Sequence, residues 1–165
     1  MRYGFIVNDY GLFYKENKDR LYAYLLRMTG ERHLALDLVQ ESFVRYLGRY
    51  GRRGEFNKAL LYTIGRNAAL DAFRRYSLTA LDTENYQDSG VDPEQQIIDQ
   101  EKFNQTMSAI AKLAPLDREL ISLVTTTDLN YQEIGRVLKI SEANVKVRIH
   151  RARTKLREMM ASGGE

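Results

Sequence analysis

The stretch 129–157, LNYQEIGRVLKISEANVKVRIHRARTKLR, constrains this chain most, because two helical stripes meet in it across a gap only long enough for a tight turn. In the second stripe Val145, Ile149, Ala152, Leu156 and Met159 recur at steps of four and three, which keeps one apolar face toward a core. Lys146, Arg148, Arg151, Arg153, Lys155 and Arg157 take the other faces. The first stripe opens with Asn130 and, three residues on, Glu133, a capping-box pattern, followed by an apolar face of Ile134, Val137 and Leu138. Ser141 is placed to cap the next helix. Residues 139–157 hold seven Lys or Arg against one acid, Glu142, so intrahelical ion pairs do not account for the cations. A basic helix following a short helix and a turn is the build of a helix-turn-helix whose second helix lies on nucleic acid.

The remaining sequence is helical too. Phe13, Leu21, Leu25 and Met28 mark one helix, stopping near Gly30; Leu34, Leu38, Val39, Phe43, Tyr46 and Leu47 mark a second, ending before Gly51. Phe56, Leu60, Leu61, Ile64, Ala68 and Phe73 mark a third, which runs into Arg74 and Arg75, cations suited to a helix C-terminus. Residues 76–92, YSLTALDTENYQDSGVD, keep no period and carry loop-forming Asp, Asn, Ser and Gly, so they read as a linker. Asp92, Pro93 and Gln95 then signal a helix start at about 93. Further helices are expected at about 93–113, 116–126, 130–138 and 142–160, with Pro115 between the first two. No period-two alternation lasts long enough for a sheet. The expected fold is all-α: two small helical domains, 1–75 and 93–165, joined by an acidic flexible linker, 76–92, the C-terminal domain being the helix-turn-helix.

Charge is unevenly distributed along the chain. Residues 1–75 carry +6, residues 76–99 carry −6 and residues 100–165 carry +3, so two basic bodies flank an acidic strip. The strip cannot hold phosphate by charge, which leaves nucleic-acid surfaces to either side of it. The 165-residue chain has no cysteine, hence no disulfide framework and no thiolate ligand or nucleophile. His33 and His150 lie far apart without paired-ligand spacing, and no catalytic constellation, metal site or cofactor site is expected. His33 reads as a surface residue near a helix start and His150 as an exposed or DNA-side residue. With no apolar run near the ~20 residues that span a bilayer and no secretory leader pattern, a soluble cytoplasmic protein without membrane insertion is expected.

Two motif sets then match one family. Asp37-Leu38-Val39-Gln40-Glu41-Ser42-Phe43 and the run 61–75, LYTIGRNAALDAFRR, resemble the first domain of bacterial extracytoplasmic-function (ECF) sigma factors of the sigma-70 family. Residues 113–119, 131–135 and 145–153 resemble the second. Both sets occur in this order, spanning about residues 10–160. The chain departs from the family pattern at Leu60, where Trp is common, at Gly65, where Ala is usual, and at Asn144, where Thr is ordinary. Lys139 stands where the turn generally carries Gly, and a left-handed backbone there would cost about 1–2 kcal/mol.

The resemblance implies a non-enzymatic factor that carries core RNA polymerase to promoters and helps open the DNA, the polymerase doing the nucleotide chemistry. It implies docking of Asp37, Leu38, Gln40, Glu41 and Phe43 on the clamp helices of the large polymerase subunit, with the flap as a second polymerase contact. It implies −10 DNA binding by Arg52, Arg53, Phe56, Arg66, Asn67, Asp71, Arg74 and Arg75. Phe56 would stack an unpaired base, Asn67 read its edge, Arg52 and Arg53 track the backbone, and Arg66, Arg74 and Arg75 hold phosphates. It implies −35 binding by Asn144, Lys146, Val147, Arg148, His150 and Arg151, with Arg151 a candidate for a bidentate contact to guanine and Lys146 and Arg148 candidates for phosphates. An anti-sigma factor that clamps the two domains is a further partner by family habit. The 17-residue linker can reach roughly 56–61 Å at ~3.3–3.6 Å per residue, which would let the domains hold separated promoter elements. Two rivals stand beside this reading: a stand-alone helix-turn-helix regulator, expected to bind paired half-sites as a dimer, and a helical interaction module that sequesters or mimics a sigma factor.

Overall fold

A computed structural model describes residues 2–51, 56–79 and 97–162. Among them are seven helices and no strand: α1 (Arg2–Thr29), α2 (Arg32–Tyr50), α3 (Lys58–Thr79), α4 (Ile97–Ala111), α5 (Pro115–Thr126), α6 (Tyr131–Leu138) and α7 (Glu142–Ser162). The all-α expectation holds. Two boundaries differ from the sequence reading. α1 begins well before Phe13, where tertiary contact overrides weak local signals: the Tyr10 hydroxyl donates to the Phe43 carbonyl at 3.4 Å, and its ring meets Phe43 and Phe56. α3 continues to Thr79, because Arg74 and Arg75 suit a helix end without breaking the helix, and no Gly or Pro follows until Gly90. From residue 80 the predicted linker lies outside the described residues, as does the start expected at Asp92-Pro93.

The first three helices bury Leu21, Tyr24 and Leu25 from α1, Leu38 and Tyr46 from α2, and Leu61 and Tyr62 from α3. Phe13 stacks on Phe56 at 5.0 Å and on Tyr46 at 5.3 Å, so this core is unusually aromatic at one end. Gly30 takes φ 69 after α1, the left-handed stop a glycine permits. Glu31 then caps α2, its carboxylate accepting from the N–H groups of His33 and Leu34.

In the second half α6 is only two turns long and depends on its ends. The Asn130 side chain accepts from the Glu133 N–H at 2.9 Å while the Glu133 carboxylate accepts from the Asn130 N–H at 2.8 Å, completing the predicted capping box. At the other end Lys139 is left-handed (φ 58), so the turn carries the strain foreseen for a side chain there. Gly135 makes the turn close: a Cβ at this position would lie 2.7 Å from the Ile140 carbonyl oxygen. Ile134, Val137 and Leu138 pack against Val145 and Ile149 of α7, and burial of such side chains is worth ~1.5–3 kcal/mol each. A smaller core of Ile110, Leu113, Ile121 and Ala152 seats α4 and α5 on the far end of α7.

The two halves are not held apart. α1 packs on α5 and α3 on α6, and the residues from Phe13 to Ile149 form one continuous hydrophobic core. The sequence reading of two bodies strung on a linker gave no hint of this docking.

Candidate nucleic-acid interface

α7 is two-sided. Val145, Ile149 and Ala152 are buried, and the 3.6-residue repeat therefore turns Val147, His150 and Arg151 outward, where all three are exposed. Val147 is 48% exposed, an apolar side chain on a basic face and the right chemistry for a thymine methyl. Asn144 is exposed at the start of the helix, its N–H capped by Ser141 Oγ at 3.1 Å as the sequence suggested. Lys146 forms an i,i+4 ion pair with Glu142 at 3.0 Å, exposed enough to be exchanged for a phosphate. Arg148 is placed differently: its Nη1 donates to Asp117 Oδ1 at 2.7 Å, tying α7 to the first turn of α5.

On the first half, Asn67, Arg74 and Arg75 are exposed along α3, and Asp71 pairs with Arg74 at 3.4 Å. Asp71, Arg74 and Arg75 line an open cleft of about 390 Å³ together with Arg45 of α2. Arg45 escaped the sequence reading because it sits 26 or more residues from the others in the chain. Arg66, one residue before Asn67, is turned about 100° from it around the helix: its Nε donates to Glu119 Oε2 at 2.5 Å, with both side chains largely buried. Phe56 is half-buried and already stacked among Phe13, Tyr46 and Tyr10. Arg52 and Arg53 lie outside the described residues.

Of the residues expected to meet polymerase, Asp37 and Gln40 are exposed and Glu41 is partly so, paired with Arg45. Leu38 and Phe43 are each 2% exposed and belong to the core, where they seat the helix. The outward apolar residues are Leu36, Val44 and Leu47, which with Gln40 follow one another at steps of four and three. Val44 is 70% exposed. The amphipathic rule assigns apolar residues inward, so this stripe was read as core in part and missed in part.

Titration is perturbed between the halves. Burial, reinforced by the Glu119 carboxylate, pushes the Tyr24 phenol well above its ordinary value, and burial does the same to Tyr62. A hydrogen bond from Lys58 at 2.6 Å holds the Asp128 carboxyl below its usual range, with Arg20 adding to it at 3.2 Å. Among the described residues no group of His, Asp and Glu is arranged to hold a metal ion.

A helix-turn-helix with an anchored inner face and an exposed basic outer face, joined in one chain to a helical domain bearing a second arginine-lined cleft, defines a DNA-binding transcription protein. Residues 13–79 match the family model for sigma-70 region 2, and residues 103–156 match that for sigma-70 region 4. The chain is 31% identical over 156 residues to the ECF RNA polymerase sigma factor SigM of Bacillus subtilis, covering 91% of this chain and 94% of that protein. It is 34% identical over 158 residues to SigW of the same organism, covering 87% and 84%. The chain belongs to the ECF RNA polymerase sigma factors, proteins of promoter-directed transcription initiation. Two solved structures share the fold at 21% identity and 93% coverage of this chain. The sigma factor RpoE in complex with the anti-sigma factor NepR from Bartonella quintana has a TM-score of 0.76 and is covered over 97% of its length. CnrH in complex with the cytosolic domain of CnrY has a TM-score of 0.66, with 88% covered. No described helix is long and apolar enough to cross a membrane.

Proposed function

We propose that this sigma factor meets core polymerase through the outer face of α2 and meets promoter DNA through α3 and α7. The observation that carries the reading is the exposed stripe Leu36, Gln40, Val44 and Leu47 on a helix that also presents Asp37 and Glu41. Apolar side chains left together in solvent at helical spacing mark a partner surface. Carboxylates beside them fix register on a helical partner, here the clamp helices of the large subunit. Leu38 and Phe43 contribute by holding α2 against the core.

The −10 element is assigned to the region around Arg52, Arg53, Phe56 and Asn67, with Arg45, Arg74 and Arg75 as phosphate contacts beside Asp71. The −35 element is assigned to Asn144, Lys146, Val147, His150 and Arg151, with Arg151 as the base reader. Arg148 supports α7 through Asp117. The C-terminal domain meets the polymerase flap, an anti-sigma factor regulates the chain, it works in the cytoplasm, and nucleotide chemistry stays with the polymerase.

The test is transcription reconstituted with purified core polymerase on a random-promoter library, comparing the wild-type chain with Val44→Glu. Val44 is exposed, so the fold should survive, while a charge within an apolar docking patch should weaken core binding at least ~10-fold, the cost of one interface anchor. Core affinity and promoter-specific transcripts unchanged by Val44→Glu would sink the α2 assignment. Sequence-specific duplex binding as a dimer, with no transcripts dependent on the chain, would favour the stand-alone regulator.

A further inference from the structure

The outward half of α7 is not uniformly basic. Counting about 100° per residue around the helix from Val147, Ala143 and Arg151 lie about 40° to either side of it, and the buried stripe of Val145, Ile149 and Ala152 lies opposite. Lys146 and Arg153 stand about 100–120° away on one flank, and Lys155 and Arg148 about 80–100° away on the other. The outermost line of the helix is therefore Ala143, Val147 and Arg151, at steps of four, and its first two members are apolar. Both are exposed, and neither belongs to a hydrophobic core.

A helix with cations on both flanks suits the major groove, whose walls are phosphate and whose floor is base edges. The outermost line then meets the floor. Alanine and valine side chains hold no donor or acceptor, so against most base edges they would leave hydrogen-bonding groups of the base buried and unpaired. The C5-methyl of thymine is the apolar group that a base pair presents there. Residues four apart on a helix carry Cβ atoms ~5–6 Å apart, and base pairs stack ~3.4 Å apart, so the two side chains span about one to two base steps.

We propose that Ala143 and Val147 together read two thymine methyl groups in the −35 element, about one to two base steps apart, which makes Ala143 a specificity-determining residue. The proposal rests on the assignment of α7 to the −35 element. Arg151, next along the line, takes a guanine beyond the thymines. Recognition of a methyl group has a chemical signature that recognition by hydrogen bonds lacks. Uracil, which pairs as thymine does without the methyl, is bound more weakly, and 5-methylcytosine is bound better than cytosine.

The experiment uses holoenzyme, core polymerase with the full chain, in competition binding against a labelled promoter duplex. A library randomised over the −35 element gives the preferred sequence, which should hold the two thymines. Deoxyuridine then replaces each thymine singly. At the two read positions each replacement should lower affinity about 4-fold, the worth of burying one methyl group; outside the element it should change nothing. Val147→Ser should abolish the preference for thymine over uracil at one position and keep it at the other, and Ala143→Ser should do the reverse. Both side chains are exposed, so the fold should survive, as circular dichroism checks. A merely structural role would weaken thymine and uracil duplexes equally. At either position 5-methylcytosine should bind more tightly than cytosine.

A preferred element without thymines at this spacing, thymine and uracil duplexes bound equally, or serine variants that weaken both alike overturns the proposal. Failure of the underlying reading looks different. If no base change across the −35 element alters affinity, α7 reads no bases at all; if base changes matter and methyl deletion does not, the −35 assignment stands and methyl reading falls.

Discussion

Arg148 offers a sharp separation of structural from DNA-contacting charge. The resemblance placed it among the −35 residues, but its guanidinium is bound to Asp117 at 2.7 Å, with 35% of the arginine side chain and 25% of the aspartate side chain exposed. A fully exposed pair is worth at most ~1 kcal/mol, and breaking a fully buried one costs ~3–5 kcal/mol. Partial exposure, with solvent screening the charge left behind, places Arg148→Ala at about 1–2 kcal/mol. Asp117 also lies in the first turn of α5, where the helix dipole favours a negative charge, and this holds the cost toward the lower end. At ~2–4 °C per kcal/mol for a chain of this size, the melting temperature should fall by about 2–8 °C. A double-mutant cycle with Asp117→Ala should show most of the loss as coupling between the two residues. DNA binding supplies the contrast. With holoenzyme on promoter duplex between ~50 and ~200 mM salt, loss of one phosphate contact lowers the slope of log affinity against log salt by ~0.9. Arg148→Ala should leave that slope unchanged. A slope lowered by ~0.9 with an unaltered melting temperature would refute the assignment and return Arg148 to the DNA backbone.

Other consequences are as direct. Asn130→Ala removes one half of the capping box on a helix of eight residues and should cost about 0.5–2 kcal/mol, read as an equal drop in unfolding free energy by urea titration. Gly135→Val puts a branched side chain where a Cβ alone meets the Ile140 carbonyl at 2.7 Å, so it should destabilise by at least ~1–3 kcal/mol, measured the same way. Asp128 has its carboxyl held below the ordinary 3.8, so its contribution to docking is present above that pH and lost as pH falls through its native value; Asp128→Asn should remove this component from an acid titration followed by scattering. Tyr24 and Tyr62 have phenols raised above 10.0, so the stability they lend is present below pH 10 and lost as pH climbs through their native values. The chain has eleven tyrosines and no tryptophan, and tyrosinate absorbance should show a late step tied to unfolding, smaller in Tyr24→Phe/Tyr62→Phe.

What was legible in the sequence is what local chemistry encodes. The caps at Asn130 and Ser141, the stop at Gly30 and the inward stripe of α7 depend on residues within four places of one another and stand where spacing put them, while the left-handed turn at Lys139 follows the family resemblance. The exposed residues of the basic helix followed from the same periodicity. What was hidden lies in distance or in exceptions to the amphipathic rule. Arg66 meets Glu119 across 53 residues and Arg148 meets Asp117 across 31, separations that leave no periodic trace. Both arginines looked like free cations in the sequence because their partners were counted as unrelated acids. Leu47 reads as part of the apolar face of α2 and Leu36 and Val44 fall outside that pattern, whereas burial sends Leu38 and Phe43 inward and leaves Leu36, Val44 and Leu47 in solvent. Glu31 is a rarer cap than Ser or Asp and was passed over for that reason.

The division of α7 bears on how such a protein can change its targets over time. The residues that fix the helix in place, Val145, Ile149, Ala152 and the Arg148–Asp117 pair, share no atoms with the outward side chains Asn144, Val147, His150 and Arg151. Substitutions on the outer face therefore cost little folding free energy, as surface changes away from caps and cores generally do. A lineage can rewrite those four positions almost independently of the scaffold, changing the chemistry of the outer face by point substitution while the helix stays in its seat. Asn144, exposed at the start of the helix, sits within that freely editable set.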